Sequence, residues 1–189
     1  MNETDTQLLR NLLDRQEILD CLTRYCRGVD RLDRAILLSA YHPDARDDHG
    51  LFVGHATEFW ELVHASHGAA QIRTFHTIAN HSCELDGDVA HAETYCLYFG
   101  RNIDESVDVV GARYIDRMER RNGEWRIADR ICVVVWNGAL KSGNEVSPGM
   151  RITADALMKN APNERSRDDV SYMRPLRILR ESHRPEMKA

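Results

Sequence analysis

This chain of 189 residues has little that would anchor it, staple it or let it bind a nucleotide. No run is long and apolar enough to cross a membrane. The opening stretch, Met1-Asn2-Glu3-Thr4-Asp5, is polar and acidic, which is not the pattern of a secretory leader, so the cytoplasm is the expected location. The net charge is -5 and the basic residues are scattered among acids, which argues against nucleic acid as a partner. Five cysteines, Cys21, Cys26, Cys83, Cys96 and Cys132, are an odd, scattered set without C-x-x-C, so reduced thiols in or near the core are expected. The chain lacks H-E-x-x-H and any zinc-type cysteine–histidine set, so its nine histidines do not read as a metal site. It also lacks G-x-G-x-x-G, a P-loop and G-x-S-x-G, so neither nucleotide binding nor serine hydrolysis has motif support. Proline is scarce before residue 148: Pro43 stands alone there, and Pro148, Pro162, Pro175 and Pro185 all follow.

What is present begins with β-structure. Arg73-Thr74-Phe75-His76-Thr77-Ile78-Ala79-Asn80-His81 reads as a strand running into a turn at Asp86-Gly87, and Asn122-Gly123 repeats the turn signal. Such pairs tolerate the positive φ of a tight hairpin. Residues 73–85, 88–101, 107–120 and 124–136 are therefore expected to form an antiparallel meander.

The preceding residues read as helical. Leu8, Leu9, Leu12, Leu13, Ile18, Leu19, Leu22, Tyr25 and Val29 recur at helical spacing, giving an amphipathic helix whose end Gly28 loosens. A second helix is expected from Asp33 to Tyr41, stopped by Pro43. Residues 44–53 read as a small polar hairpin around His49-Gly50. A third helix is expected from about His55 to His67, ended by Gly68, burying Phe59, Trp60, Leu62 and Val63 and turning His64 and His67 to solvent. Three helices followed by long antiparallel strands imply an α+β fold in which a curved sheet wraps around the helices and leaves a cone-shaped pocket. After Trp136 the composition shifts. Residues 1–137 are expected to form the cone domain, and residues 138–189 an arm, with a short helix around 153–159, that packs on the domain or on a neighbouring subunit.

Four polar residues fall where apolar ones would be expected. Tyr25 and Asp30 close the first helix, about 140° apart at about 100° per residue, so they share a cavity only if the helix loosens or the cavity caps its end. His76 shares a strand face with Ile78 and Asn80 by the two-residue period. Arg130 lies in the last, apolar strand with Cys132, Val134 and Trp136 on its face, and needs a partner or a ligand. An aspartate can orient a histidine and stabilise its imidazolium while the free ring nitrogen removes a proton. A tyrosine can donate to a leaving oxygen, and an arginine can steady an oxyanion. Each also has a plainer role: Asp30 as cap of the second helix, His76 as a hydrogen-bonded strand residue, Tyr25 as helix core, and Arg130 as partner of Asp116 or Asp129.

Arg24-Tyr25-Cys26-Arg27-Gly28-Val29-Asp30, Thr74-Phe75-His76-x-x-x-Asn80, Asp86-Gly87-Asp88-x-Ala90, and the run from Gly111 through Arg113-Tyr114-x-Asp116-Arg117 to Gly123-x-Trp125-Arg126-Ile127 resemble the SnoaL-like branch of the nuclear transport factor 2-like superfamily over about residues 7–137. The resemblance implies a cystatin-like cone fold. It also implies a cofactor-independent lyase of the scytalone dehydratase, bile acid 7α-dehydratase or hexachlorocyclohexane dehydrochlorinase type. Asp30 and His76 match the dyad, Tyr25 matches a tyrosine one turn before the aspartate, and Arg130 matches a pocket arginine. The substrate implied is a small hydrophobic, ring-containing molecule, contacted by residues such as Asn80, Tyr95, Phe59, Trp60 and Trp136, with Phe52, Phe75, Tyr98 and Val134 as further apolar candidates. Assembly as a homodimer or homotrimer is implied too. The same fold also hosts ketosteroid-type isomerases and the non-catalytic small subunits of ring-hydroxylating dioxygenases, and the long arm departs from the minimal cone enzymes.

Overall fold

A computed structural model describes residues 3–140 and 161–178. Met1–Ser142 and Gly143–Ala189 are separate units. The first holds three helices, α1 (Glu3–Asp30), α2 (Arg34–Ser39) and α3 (Ala56–Ala70), and six strands. These are β1 (Tyr41–Asp48), β2 (Val53–His55), β3 (Gln71–Asp86), β4 (Val89–Asn102), β5 (Val107–Arg121) and β6 (Glu124–Leu140). They make one open, curved sheet in the order β2-β1-β6-β5-β4-β3.

The meander forms as its turns dictate. Asn122 and Gly123 both take positive φ, at 55° and 83°, and join β5 to β6 in two residues. The β3–β4 turn falls on Gly87 and Asp88, one residue later than expected, and there Gly87 carries the positive φ. The sheet is not wholly antiparallel. The hairpin expected in residues 44–53 forms at the sheet edge, with β1 and β2 antiparallel and Asp48 opposite Val53; what differs is that β1 starts at Tyr41, expected as helix end, and also pairs parallel with β6, with Asp47 beside Arg130. Pro43 therefore sits in a strand; the second helix already ends at Ser39.

Two further expectations change. Leu8, Leu9, Leu12 and Leu13 are 45–63% exposed, so the apolar stripe of α1 is buried only from Ile18 onward. There Ile18, Cys21, Leu22, Tyr25 and Val29 meet the sheet interior. Asp14 fixes this docking: buried, it accepts from Trp125 Nε1 at 2.9 Å and from Arg120 at 2.7 Å. Helix α3 runs through Gly68 to Ala70, and its Leu62 is 42% exposed. All five cysteines are free.

In the second unit, Asp169 caps a short 3-10 turn at Val170–Tyr172 by accepting from the Ser171 N–H at 2.9 Å, and Arg167 stacks on Tyr172 at 4.9 Å. The helix expected around residues 153–159 lies outside the described residues.

Candidate active site

Asp30 is the last residue of α1, and its freedom to leave that helix depends on its neighbour Asp33. The side chain of Asp33 caps α2, accepting from the Ile36 N–H at 3.1 Å. Asp30 is thus released from the capping role and reaches across to β3. The His76 N–H donates to Asp30 Oδ2 at 2.9 Å, and the His76 ring Nδ1 meets Asp30 Oδ1 at 2.6 Å. An ionised carboxylate only accepts, so Nδ1 is the donor in this pair. Burial pushes the Asp30 carboxyl up. Hydrogen bonds from His76 and Thr74, with the charge of the imidazole, outweigh this and hold it below its ordinary value.

His76 opens onto a cavity of about 280 Å³ between the helices and the sheet. Its walls include Tyr25, Phe52, Phe59, Tyr98, Cys132 and Val134. The lining is chiefly apolar, and the volume lies near the lower end of the usual range for small-molecule sites.

Tyr25 lies in this wall, fully buried, its ring edge-on to His76 at 6.5 Å between centroids and stacked on Phe59 at 6.4 Å. Burial pushes its phenol well above the ordinary value, with Arg130 opposing, so the hydroxyl keeps its proton. Arg130 is not part of the cavity wall. Its guanidinium is sandwiched between Tyr25 and Tyr114 at 4.1 and 4.0 Å and forms a two-pronged pair with Asp116 at 2.7 and 2.8 Å. The cross-strand register of β5 and β6 sets Asp116 opposite Arg130. Of the two aspartates expected to pair with it, Arg130 takes Asp116, while Asp129 pairs with Arg117. Its charge reaches the cavity through two aromatic rings, not by contact.

Among the candidates for substrate contact, Phe59, Phe52, Tyr98 and Val134 line the cavity; Asn80, Tyr95, Trp60, Phe75 and Trp136 do not. A bulge in β3 between Ile78 and His81 resets the alternation, so His81 and Cys83 turn inward and Asn80 turns to solvent. Tyr95 is out of phase with the inward Thr94 and Cys96 and is 46% exposed on the outer face. Phe75, out of phase with His76, is 61% exposed. A bulge opposite Gly111 and Ala112 likewise turns Trp136 outward, where its indole covers Gly111. Trp60 is buried but faces His64 and the helical layer.

Two histidines of the wall escaped the sequence pattern. His67, expected on the polar face of α3, lines the cavity and packs on Tyr98 at 5.7 Å. His49 lines it as well, and Asp47 two residues earlier holds its Nδ1. Asp47 is buried near the end of β1 and His49 lies just past that end, in the hairpin loop, where a two-residue period assigns no face. Among the described residues, no three histidine, cysteine or acidic side chains gather to hold a metal ion.

The SnoaL-like domain profile matches residues 10–131. The chain belongs to the SnoaL-like family. No curated protein matches it. Among solved structures it is similar to the hexachlorocyclohexane dehydrochlorinase LinA-type3 from Novosphingobium barchaimii, at 22% identity over 74% of this chain and 99% of that one, with a TM-score of 0.66. It is also similar to a candidate scytalone dehydratase from Novosphingobium aromaticivorans, at 15% identity over 70% and 91%, TM-score 0.63. A protein of unknown function with a cystatin-like fold from Nostoc punctiforme matches at 20% over 65% and 91%, TM-score 0.56. At these identities the SnoaL-like chain shares a fold with them.

Proposed function

We propose that this SnoaL-like protein is a cofactor-independent lyase that eliminates water, or a comparable leaving group, from a small hydrophobic, ring-containing molecule. The observation that carries the reading is the Asp30–His76 pair, closed at 2.6 Å, with His76 lining an apolar cavity. His76 Nε2 removes a proton from carbon, and Asp30 stabilises the imidazolium that forms. The Tyr25 hydroxyl, kept protonated by burial, donates to the departing oxygen. Arg130, clamped beneath Tyr25 and Tyr114, adds positive potential to the wall without touching substrate. The similar dehydrochlorinase and the candidate dehydratase have names that fit such eliminations.

The test is turnover of a panel of cyclic β-hydroxy ketones followed by mass spectrometry. Loss of water by the native protein is expected, and the His76→Ala variant should lose about 10²–10⁴-fold in rate with its fold intact. Substantial turnover by that variant would sink the mechanism. A product of unchanged mass would make the reaction an isomerisation by the same base.

The outer sheet face exposes Phe75, Tyr95, Leu97, Ile115, Ile131 and Val135. We read this apolar surface as the site of self-association into a dimer or trimer, the occupant being a second copy of the chain. Sedimentation equilibrium decides it: a monomer at micromolar concentration removes this part of the reading.

A further inference from the structure

His49 sits just beyond the end of β1, in the cavity wall. Its ring stacks on Phe59 of α3, with centroids 4.4 Å apart, and faces Tyr114 of β5 at 6.2 Å. Its Nδ1 is hydrogen-bonded to Asp47 Oδ1, and the Tyr41 hydroxyl donates to Asp47 Oδ2 at 2.5 Å. Both oxygens of this fully buried carboxylate are therefore engaged and its orientation is fixed. The other ring nitrogen, Nε2, lies 3.4 Å from the Tyr25 hydroxyl oxygen. The cavity wall thus has two carboxylate-backed histidines, and the second presents its other ring nitrogen to the tyrosine.

We propose that His49, held by Asp47, is the second proton-transfer residue of this site, supplying the leaving group with a proton through the Tyr25 hydroxyl while His76 takes the proton from carbon. The inference rests on the elimination reading above. His49 begins as an imidazolium, with one N–H to Asp47 and the other to the Tyr25 oxygen. The carbon–hydrogen bond breaks, its proton goes to His76 Nε2, and its electron pair forms the new π bond as the bond to the leaving oxygen breaks. That oxygen takes the Tyr25 proton, and Tyr25 takes the His49 Nε2 proton. His76 then ends protonated and His49 neutral, and exchange with water restores both. A buried carboxylate behind each imidazole gives each charged form a counter-ion. The bland alternative is that Asp47 and His49 only brace the β1–β2 turn.

The two roles separate by leaving group. The probes are 5-nitrobenzisoxazole and unsubstituted benzisoxazole, flat bicyclic molecules opened when a base removes the ring C–H and the nitrogen–oxygen bond breaks. The nitro compound releases a stable phenolate that needs no proton; the unsubstituted one releases a more basic oxygen that does. His49→Phe keeps the ring stacked on Phe59 and removes both nitrogens. It should slow the unsubstituted probe by about 100-fold and the nitro probe by less than about 3-fold. Tyr25→Phe should show the same selectivity, and the double variant should be no slower than either single one, because both break one relay. A wild type that opens neither probe faster than His76→Ala overturns the elimination reading, and the donor step with it. If the wild type does open them, equal losses on both probes for both variants, or additive losses in the double variant, overturn the assignment of His49 alone.

Discussion

His76 occupies both oxygens of Asp30, one through its backbone N–H at 2.9 Å and one through its ring Nδ1 at 2.6 Å. The backbone bond places the carboxylate at the root of the side chain, so the ring can meet it in only one orientation. A strand residue and a helix terminus separated by 46 positions are locked together at the site of the proposed proton transfer.

Asp30→Asn tests that lock. The amide keeps the size of the side chain and can still accept from the backbone, but it cannot counter an imidazolium. The rate constant kcat should fall by about 10²-fold or more with KM nearly unchanged, and the melting temperature should move little. A variant of near-native kcat would leave His76 without need of its partner.

Arg130 and Asp116, both fully buried, are expected to dominate stability rather than binding. Arg130→Met leaves the Asp116 carboxylate without its partner and should cost about 3–5 kcal/mol, measured by chemical denaturation. The double variant Arg130→Met with Asp116→Leu should recover much of that loss, since it buries no unpaired charge.

Gly28 lies inside α1, where alanine ordinarily improves a helix. Here an added Cβ would stand 2.4 Å from the Leu37 backbone nitrogen of α2. Gly28→Ala is therefore expected to destabilise by about 1–3 kcal/mol and to shift the Asp30 terminus, lowering activity as well as the denaturation midpoint.

The pH dependence of stability follows from groups held below their ordinary values. Burial lowers His81, whose Nδ1 bonds Thr94 at 2.8 Å, and burial together with Arg121 and Arg126 lowers His42. The fold favours their neutral forms. Their contribution is complete above the ordinary histidine value of 6.5 and is lost as pH falls through their lower folded values. Asp30 adds a second loss, beginning below its ordinary value of 3.8 and completed below its depressed folded value. Melting temperatures should be level from pH 7 to 8 and decline on acidification, and His81→Gln should flatten the upper part of that decline.

The helices, the four long strands, the turn at Asn122-Gly123 and the inward position of His76 were legible because each is written in a local period or a local dihedral preference. So was the candidacy of Asp30, Tyr25 and Arg130, polar residues in apolar surroundings. What escaped was decided by contacts between distant segments. The phase of Asn80 and Trp136 depends on bulges, each an extra residue that a two-residue period cannot anticipate. The edge hairpin at residues 44–53 was legible, but its parallel pairing with β6, which carries β1 back to Tyr41, was not, because nothing in its polar composition announces that partner. The release of Asp30 required Asp33 to take the cap, and the burial of Arg130 required Asp116 to arrive across the sheet. Sequence by itself determined the layers and the chemical repertoire, because periodicity acts over a few residues. Only the tertiary structure decided which carboxylate meets which histidine, because that pairing is set by register and by the competition between neighbouring hydrogen-bond donors.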